Sequence, residues 1–173
     1  MKKNIIIFSI FAFAILIVYS NTFKASFHYD DSVNITKNKH IQIDELNWQS
    51  IKGTWFAGGE RGDIYHPILY RPVAMCSLAL NYYFHELEVF WYHVVNTLVH
   101  IITSIFLFLF IKQVLLLPKL REKYGDYAVH IAGLATLLWA LNPVQLTNVT
   151  YIVQRQNSLC GMFYIIAMYF YIR

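Results

Sequence analysis

Asp30 and Asp31 stand side by side in the run Phe27-His28-Tyr29-Asp30-Asp31, just past the first apolar stretch of the chain. Ionised carboxylates resist leaving water and do not help a helix enter a bilayer, so acids set beside an apolar stretch point to a task. Such a pair can accept a proton or hold a divalent cation. No third hard ligand is fixed by spacing, so a divalent metal stays an open reading and no cofactor is certain. A second group lies further on, where His93, Asn96 and His100 follow one another at intervals of three and four residues. That spacing puts them on one helix face, predicted to look toward protein rather than lipid, and Thr103 extends the face. Interhelical hydrogen bonding accounts for such a stripe as well as a site does. His93 falls at the level of the acid pair and is the better site candidate. His100, about two turns deeper, is expected to be structural. A cation completes the set: Arg155, in Gln154-Arg155-Gln156-Asn157, needs an anion if it sits near hydrocarbon. Either acid of the pair or a lipid phosphate would serve, and an interfacial anchor is the plainer reading.

The elements that must position these groups are apolar. Hydrophobic residues make up 57% of the 173, charged residues only 14%, and there are thirteen Tyr and thirteen Phe, which predicts an all-α membrane protein. The net charge of +4 comes from Lys and Arg scattered over short polar stretches and the two ends, so no basic face forms and a nucleic-acid partner is excluded. Cys76 and Cys160 are isolated in apolar runs and match neither a zinc nor a redox spacing.

Four apolar stretches predict about four transmembrane helices. The first runs from Ile5 to Tyr19 behind Lys2-Lys3 and is read as an uncleaved anchor rather than a signal peptide. The second covers about Val94 to Ile111, the third Ala128 to Leu141 with its stop at Asn142-Pro143, and the fourth Leu159 to Ile172. With Lys2-Lys3, the Lys119 to Lys123 segment and Arg173 on the inner side, the chain is expected to start inside and cross four times. Three parts follow: 1–23 as the first transmembrane helix, 24–91 as a large first extracytoplasmic loop, and 92–173 as transmembrane helices two to four. Within the loop, Ile41, Ile43, Leu46, Trp48, Ile51, Trp55 and Phe56 alternate with polar residues and predict amphipathic helices at the membrane interface. Arg71-Pro72 opens a further helix over Val73 to Phe84. Gly53, Gly58, Gly59 and Gly62 make a connection that carries Arg61, Asp63 and His66, without any nucleotide fingerprint.

An ordered set of short runs now carries a resemblance. It comprises Phe27-His28-Tyr29-Asp30-Asp31 with Asn34-Ile35 and Asn38, Tyr70-Arg71-Pro72, Leu80-Asn81-Tyr82, and Tyr92-His93-Val94-Val95-Asn96 with His100. Asn142-Pro143-Val144-Gln145 and Val149-Thr150-Tyr151-Ile152-Val153-Gln154-Arg155 complete it. In this order the chain resembles the amino-terminal part of the multi-spanning glycosyltransferases of the GT-C class that carry tetratricopeptide repeats, relatives of the transmembrane O-mannosyltransferases. The resemblance implies a partial GT-C fold and transfer of a sugar from a polyprenyl-phosphate donor to a protein or glycan hydroxyl by inverting displacement. Asp31 or Asp30 would match the catalytic acid, with Asp31 the stronger candidate. Arg155 and Arg71 would stabilise charge on the donor phosphate, and His93 would orient the acid or the phosphate.

That reading places the protein in a membrane, the bacterial inner membrane with its first loop periplasmic or extracellular, or the endoplasmic reticulum membrane if eukaryotic. The chain departs from the family at Asn142, where members carry histidine, and at Glu86 and Trp91, where glycines are expected. It is also short, which makes it an amino-terminal portion or a truncated relative, not expected to close a lipid-sugar cavity alone. Two other functions compete: a non-catalytic membrane scaffold, and a haem-binding electron carrier using His93 and His100 with His130.

Overall fold

The longest apolar run makes the longest helix. In the computed structural model, which describes residues 2–57 and 70–173, Val89–Leu115 forms 27 residues of unbroken helix, about 40 Å at 1.5 Å per residue. The eight α-helices described are α1 (Lys2–Val18), α2 (Trp48–Thr54), α3 (Pro72–His85), α4 (Val89–Leu115), α5 (Pro118–Tyr124), α6 (Ala128–Ala140), α7 (Leu146–Thr150) and α8 (Arg155–Ile172). Helix α4 is the central post: α8, α6, α1 and α7 all pack on it, while α2 rests on α3.

Local chemistry sets the ends. Pro72 occupies the first turn of α3, where its missing N–H is no loss. Asn47 caps α2 by accepting the Ser50 N–H at 2.8 Å. At the other end of α3 the chain turns through Glu86, whose φ of 49° lies in the left-handed region that favours glycine. This is one of the two positions where the family leads one to expect glycine. Helix α6 stops as Asn142-Pro143 predicts, and Asn142 Oδ1 accepts the Val144 N–H at 3.0 Å. Its last carbonyls have no helical partner. That of Ala140 accepts both the Tyr19 hydroxyl at 3.0 Å and a ring N–H of His100 at 2.9 Å, which ties α1 and α4 to the end of α6.

The expectation of four spans with a large outer loop is overturned. Among the described residues only α4 is long and apolar enough to cross a membrane. The apolar part of α1, Ile5–Val18, is shorter than the roughly 20 residues a span needs. Helix α6 has 13 residues, and the apolar path from Pro118 through Thr150 is broken by a 53° bend at the proline. Helix α8 is long enough at 18 residues but opens with Arg155-Gln156-Asn157-Ser158, which makes it too polar. Hydropathy runs located the helices and overstated how many could cross, and the four-crossing path falls with them.

The stretch expected to be an outer loop is part of the helical body. Ile35, Ile41, Ile43 and Ala57 are buried against Met75, Leu78 and Ala79 of α3, Tyr92 of α4 and Ile152. Ile41 and Ile43, read from sequence as membrane-surface residues, are core residues, whereas Trp48 is 66% exposed. The connection bearing Gly58, Gly59, Arg61, Gly62, Asp63 and His66 lies outside the described residues. Helix α4, long and apolar enough to cross a bilayer, supports association with a membrane.

Candidate functional site

The two acids have opposite surroundings. Asp31 is 1% exposed, and each of its carboxylate oxygens accepts a backbone N–H: Oδ2 from His28 at 2.9 Å and Oδ1 from Val153 at 2.8 Å. The first bond closes a local turn. The second joins the segment after α1 to the 3-10 turn Ile152–Gln154 that leads into α8. Burial raises the Asp31 carboxyl above the usual carboxylate range, while the two N–H bonds and nearby His28 hold it partly down.

Asp30 is solvent-exposed. Its main chain is held on both sides, the N–H donating to Tyr151 Oη at 3.0 Å and the carbonyl accepting from Asn34 Nδ2 at 2.8 Å. Tyr29 precedes it at φ 43°, a conformation a bulky residue rarely adopts. The turn is kept by Asp31 N–H on His28 O at 2.9 Å and Ser32 N–H on Tyr29 O at 3.1 Å. Strain of this kind persists only where the surroundings impose it.

Arg155 is fully buried and holds three helices together. Its Nε donates to Asn96 Oδ1 at 2.7 Å on α4, Nη2 to the Tyr92 carbonyl at 2.9 Å, and Nη1 to the Ser77 carbonyl of α3 at 3.1 Å. The guanidinium also lies 5.7 Å from the centroid of the Tyr92 ring. All three acceptors are neutral, so carbonyl and amide oxygens stand where an anion was anticipated. Burial pulls the Arg155 pKa down to about 9, which leaves it protonated at neutral pH.

The polar stripe of α4 faces protein, as its spacing predicts: His93, Asn96, His100 and Thr103 are all buried. Asn96 uses both ends of its amide, accepting from Arg155 and donating Nδ2 to the Ile152 carbonyl at 3.3 Å. His93 Nε2 meets the carbonyl of Ala25 at 3.1 Å, so that nitrogen is the donor and Nδ1 is an unpartnered buried acceptor. His100 is engaged with Ala140 and stacks on Trp139 at 5.1 Å between centroids. With His93 and His100 each bonded to a carbonyl and His130 exposed at the start of α6, the haem arrangement is not assembled.

Two chains of bonds converge on residues 151–155. One runs from Asp30 through the Tyr151 hydroxyl; the other runs from Asp31 to Val153, and the Asn96-Arg155 pair anchors the segment from below. The structure therefore brings Asp30, Asp31 and Arg155 into one neighbourhood. Arg71 is exposed at the N-terminus of α3. Among the described residues no three His, Cys, Asp or Glu side chains gather into a metal-binding group. Sequence reasoning passed over Tyr151 as a site residue. It lies 121 residues from Asp30, and no spacing rule connects them.

Comparison with known proteins gives a consistent relationship. The chain is 31% identical over 166 residues to the protein O-mannosyl-transferase TMTC4 of Mus musculus, a match covering 90% of this chain and 21% of that protein. It is 32% identical over 159 residues to the protein O-mannosyl-transferase tmtc2 of Xenopus laevis, covering 91% and 18%. It is 25% identical over 182 residues to the protein O-mannosyl-transferase Tmtc3 of Drosophila melanogaster, covering 98% and 19%. The chain is thus related to O-mannosyl-transferase-like proteins, and spans about a fifth of the length of the curated relatives it matches. No family model matches it, and no solved structure does.

Proposed function

We propose that the chain carries the acid-bearing part of a membrane glycosyltransferase that moves a sugar from a polyprenyl-phosphate donor to a protein or glycan hydroxyl. The observation behind this reading is the exposed Asp30 next to the buried, clamped Asp31, in a chain related to O-mannosyl-transferases. In the proposed step the acceptor oxygen attacks the anomeric carbon and its proton passes to the Asp30 carboxylate. The bond from that carbon to the phosphate oxygen breaks, and the polyprenyl phosphate leaves with the electron pair.

The sequence favours Asp31 as the base, whereas the geometry supports a division of labour. Asp31 has both oxygens engaged by backbone N–H groups and acts by positioning, while Asp30 is the acid that reaches solvent and an incoming hydroxyl. Arg71, exposed and offering a planar fork, suits the leaving phosphate. Arg155 and His93 contribute from beneath: Arg155 by fixing residues 151–155, His93 by holding the segment at Ala25.

Replacing a general base by its amide removes proton acceptance at constant size, so Asp30→Asn in the full-length protein should lower sugar transfer about a hundredfold or more. Asp31→Asn should lower it less, through loss of position. Full transfer by both variants, at equal membrane expression, would exclude the acid pair from the chemistry. The non-catalytic scaffold would then be the better reading, favoured by the complete engagement of Asp31 and Arg155 in structural bonds.

A further inference from the structure

We infer that Tyr151 is the positioning residue for Asp30, its phenol oxygen fixing the main chain of that acid; this rests on the glycosyltransferase reading. The Tyr151 oxygen accepts the Asp30 N–H at 3.0 Å, which occupies a lone pair and leaves its own proton to donate. The nearby anions are the carboxylates of Asp30 and Asp31. Burial foremost, with a further contribution from these two carboxylates, keeps the Tyr151 phenol protonated beyond its ordinary range.

The phenol is itself well placed. Tyr151 lies between α7 and the 3-10 turn Ile152–Gln154; its N–H donates to Thr147 O at 3.2 Å and its carbonyl accepts from Gln154 at 3.1 Å. Asn96 holds the next carbonyl, that of Ile152, and Arg155 holds Asn96. A rigid arm therefore runs from the interior of the helix bundle to the exposed acid. Without it, Asp30 would keep only local bonds, the Asn34 amide on its carbonyl and the turn that contains the strained Tyr29. Tyr151 touches no reacting atom in this scheme and acts through Asp30.

The test uses the full-length protein with Tyr151→Phe, which keeps the half-buried ring and removes only the oxygen. Turnover should fall roughly tenfold or more, as small misplacements of a reacting group do, with KM for the polyprenyl-phosphate donor within about twofold. A readout independent of activity is 3-fluorotyrosine incorporated at position 151 and titrated by 19F NMR. Asp30→Asn should move that titration to lower pH, because it removes a neighbouring negative charge. Turnover within twofold of wild type in Tyr151→Phe would overturn the inference. If the wild-type protein transfers no sugar, the function reading fails and the fluorine titration alone decides. A downward move on Asp30→Asn keeps the pairing of Tyr151 with Asp30, and an unchanged titration ends it.

Discussion

Replacing Arg155 by lysine separates a structural cation from a surface one. The guanidinium makes three hydrogen bonds in three directions, to Asn96 Oδ1, the Tyr92 carbonyl and the Ser77 carbonyl, and is fully buried. An ammonium on a single stem reaches one of these oxygens, so two of the three charged bonds are lost where no water enters. Hydrogen bonds to a charged group are worth about 1.5–3 kcal/mol each, so two lost bonds come to at least about 3 kcal/mol. Breaking a buried charged contact sets an upper figure of roughly 5 kcal/mol. Thermal or denaturant unfolding in detergent micelles, followed by tryptophan fluorescence, would report the difference between Arg155→Lys and wild type. A double-mutant cycle with Asn96→Ala should show coupling of about 1 kcal/mol or more, as residues in one network do. A loss under about 1 kcal/mol, with additive variants, would refute the argument that this side chain ties α3, α4 and α8 together.

Three further outcomes follow from local geometry. Asp31→Asn sets an amide NH2 against one of two N–H donors and should destabilise by about 1–3 kcal/mol, whereas Asp30→Asn should stay within about 0.5 kcal/mol of wild type. Because burial raises the Asp31 carboxyl, the folded state holds its proton to higher pH than the unfolded chain; wild-type stability should decline as pH rises from about 4 through the folded pKa. Asp31→Asn should flatten that part of the pH–stability curve, and an unchanged slope would count against it. Glu86→Gly relieves a residue held at φ 49°, where strain of about 1–3 kcal/mol outweighs the roughly 0.5–1 kcal/mol entropic penalty of glycine, so the melting temperature should rise by about 2–4 °C.

Much of the local order was legible in the sequence. The three-and-four spacing of His93, Asn96 and His100 identified a protein-facing stripe, Pro72 marked the start of α3, and Asn142-Pro143 marked the stop of α6. Such signals act within a turn or two of their residue. What could not be read depends on contacts more than a hundred residues apart. Nothing about position 153 announces that its N–H will meet Asp31, and nothing about Tyr151 announces Asp30. Arg155 misled for a related reason. A cation near apolar residues suggests an anion, but α3 and α4 supply the carbonyls of Ser77 and Tyr92 and the amide oxygen of Asn96 instead, and backbone carbonyls belong to every sequence. The count of crossings failed because the apolar runs are short for a span in α1 and α6, and in α8 the helix starts four residues before its apolar part, with a polar turn.

The bond from Val153 to Asp31 also sets an order of events in time. At a synthesis rate of about 5–20 residues per second, the 122 residues between them take roughly 6 to 24 s to appear. Throughout that interval the acid pair has been made but lacks both the Val153 N–H on Asp31 and the phenol that steadies Asp30. The acids are thus among the first groups made and the last to be set in place. Any chaperone or membrane insertase attending this chain would meet them as an unanchored, charged turn beside an apolar helix until α8 arrives.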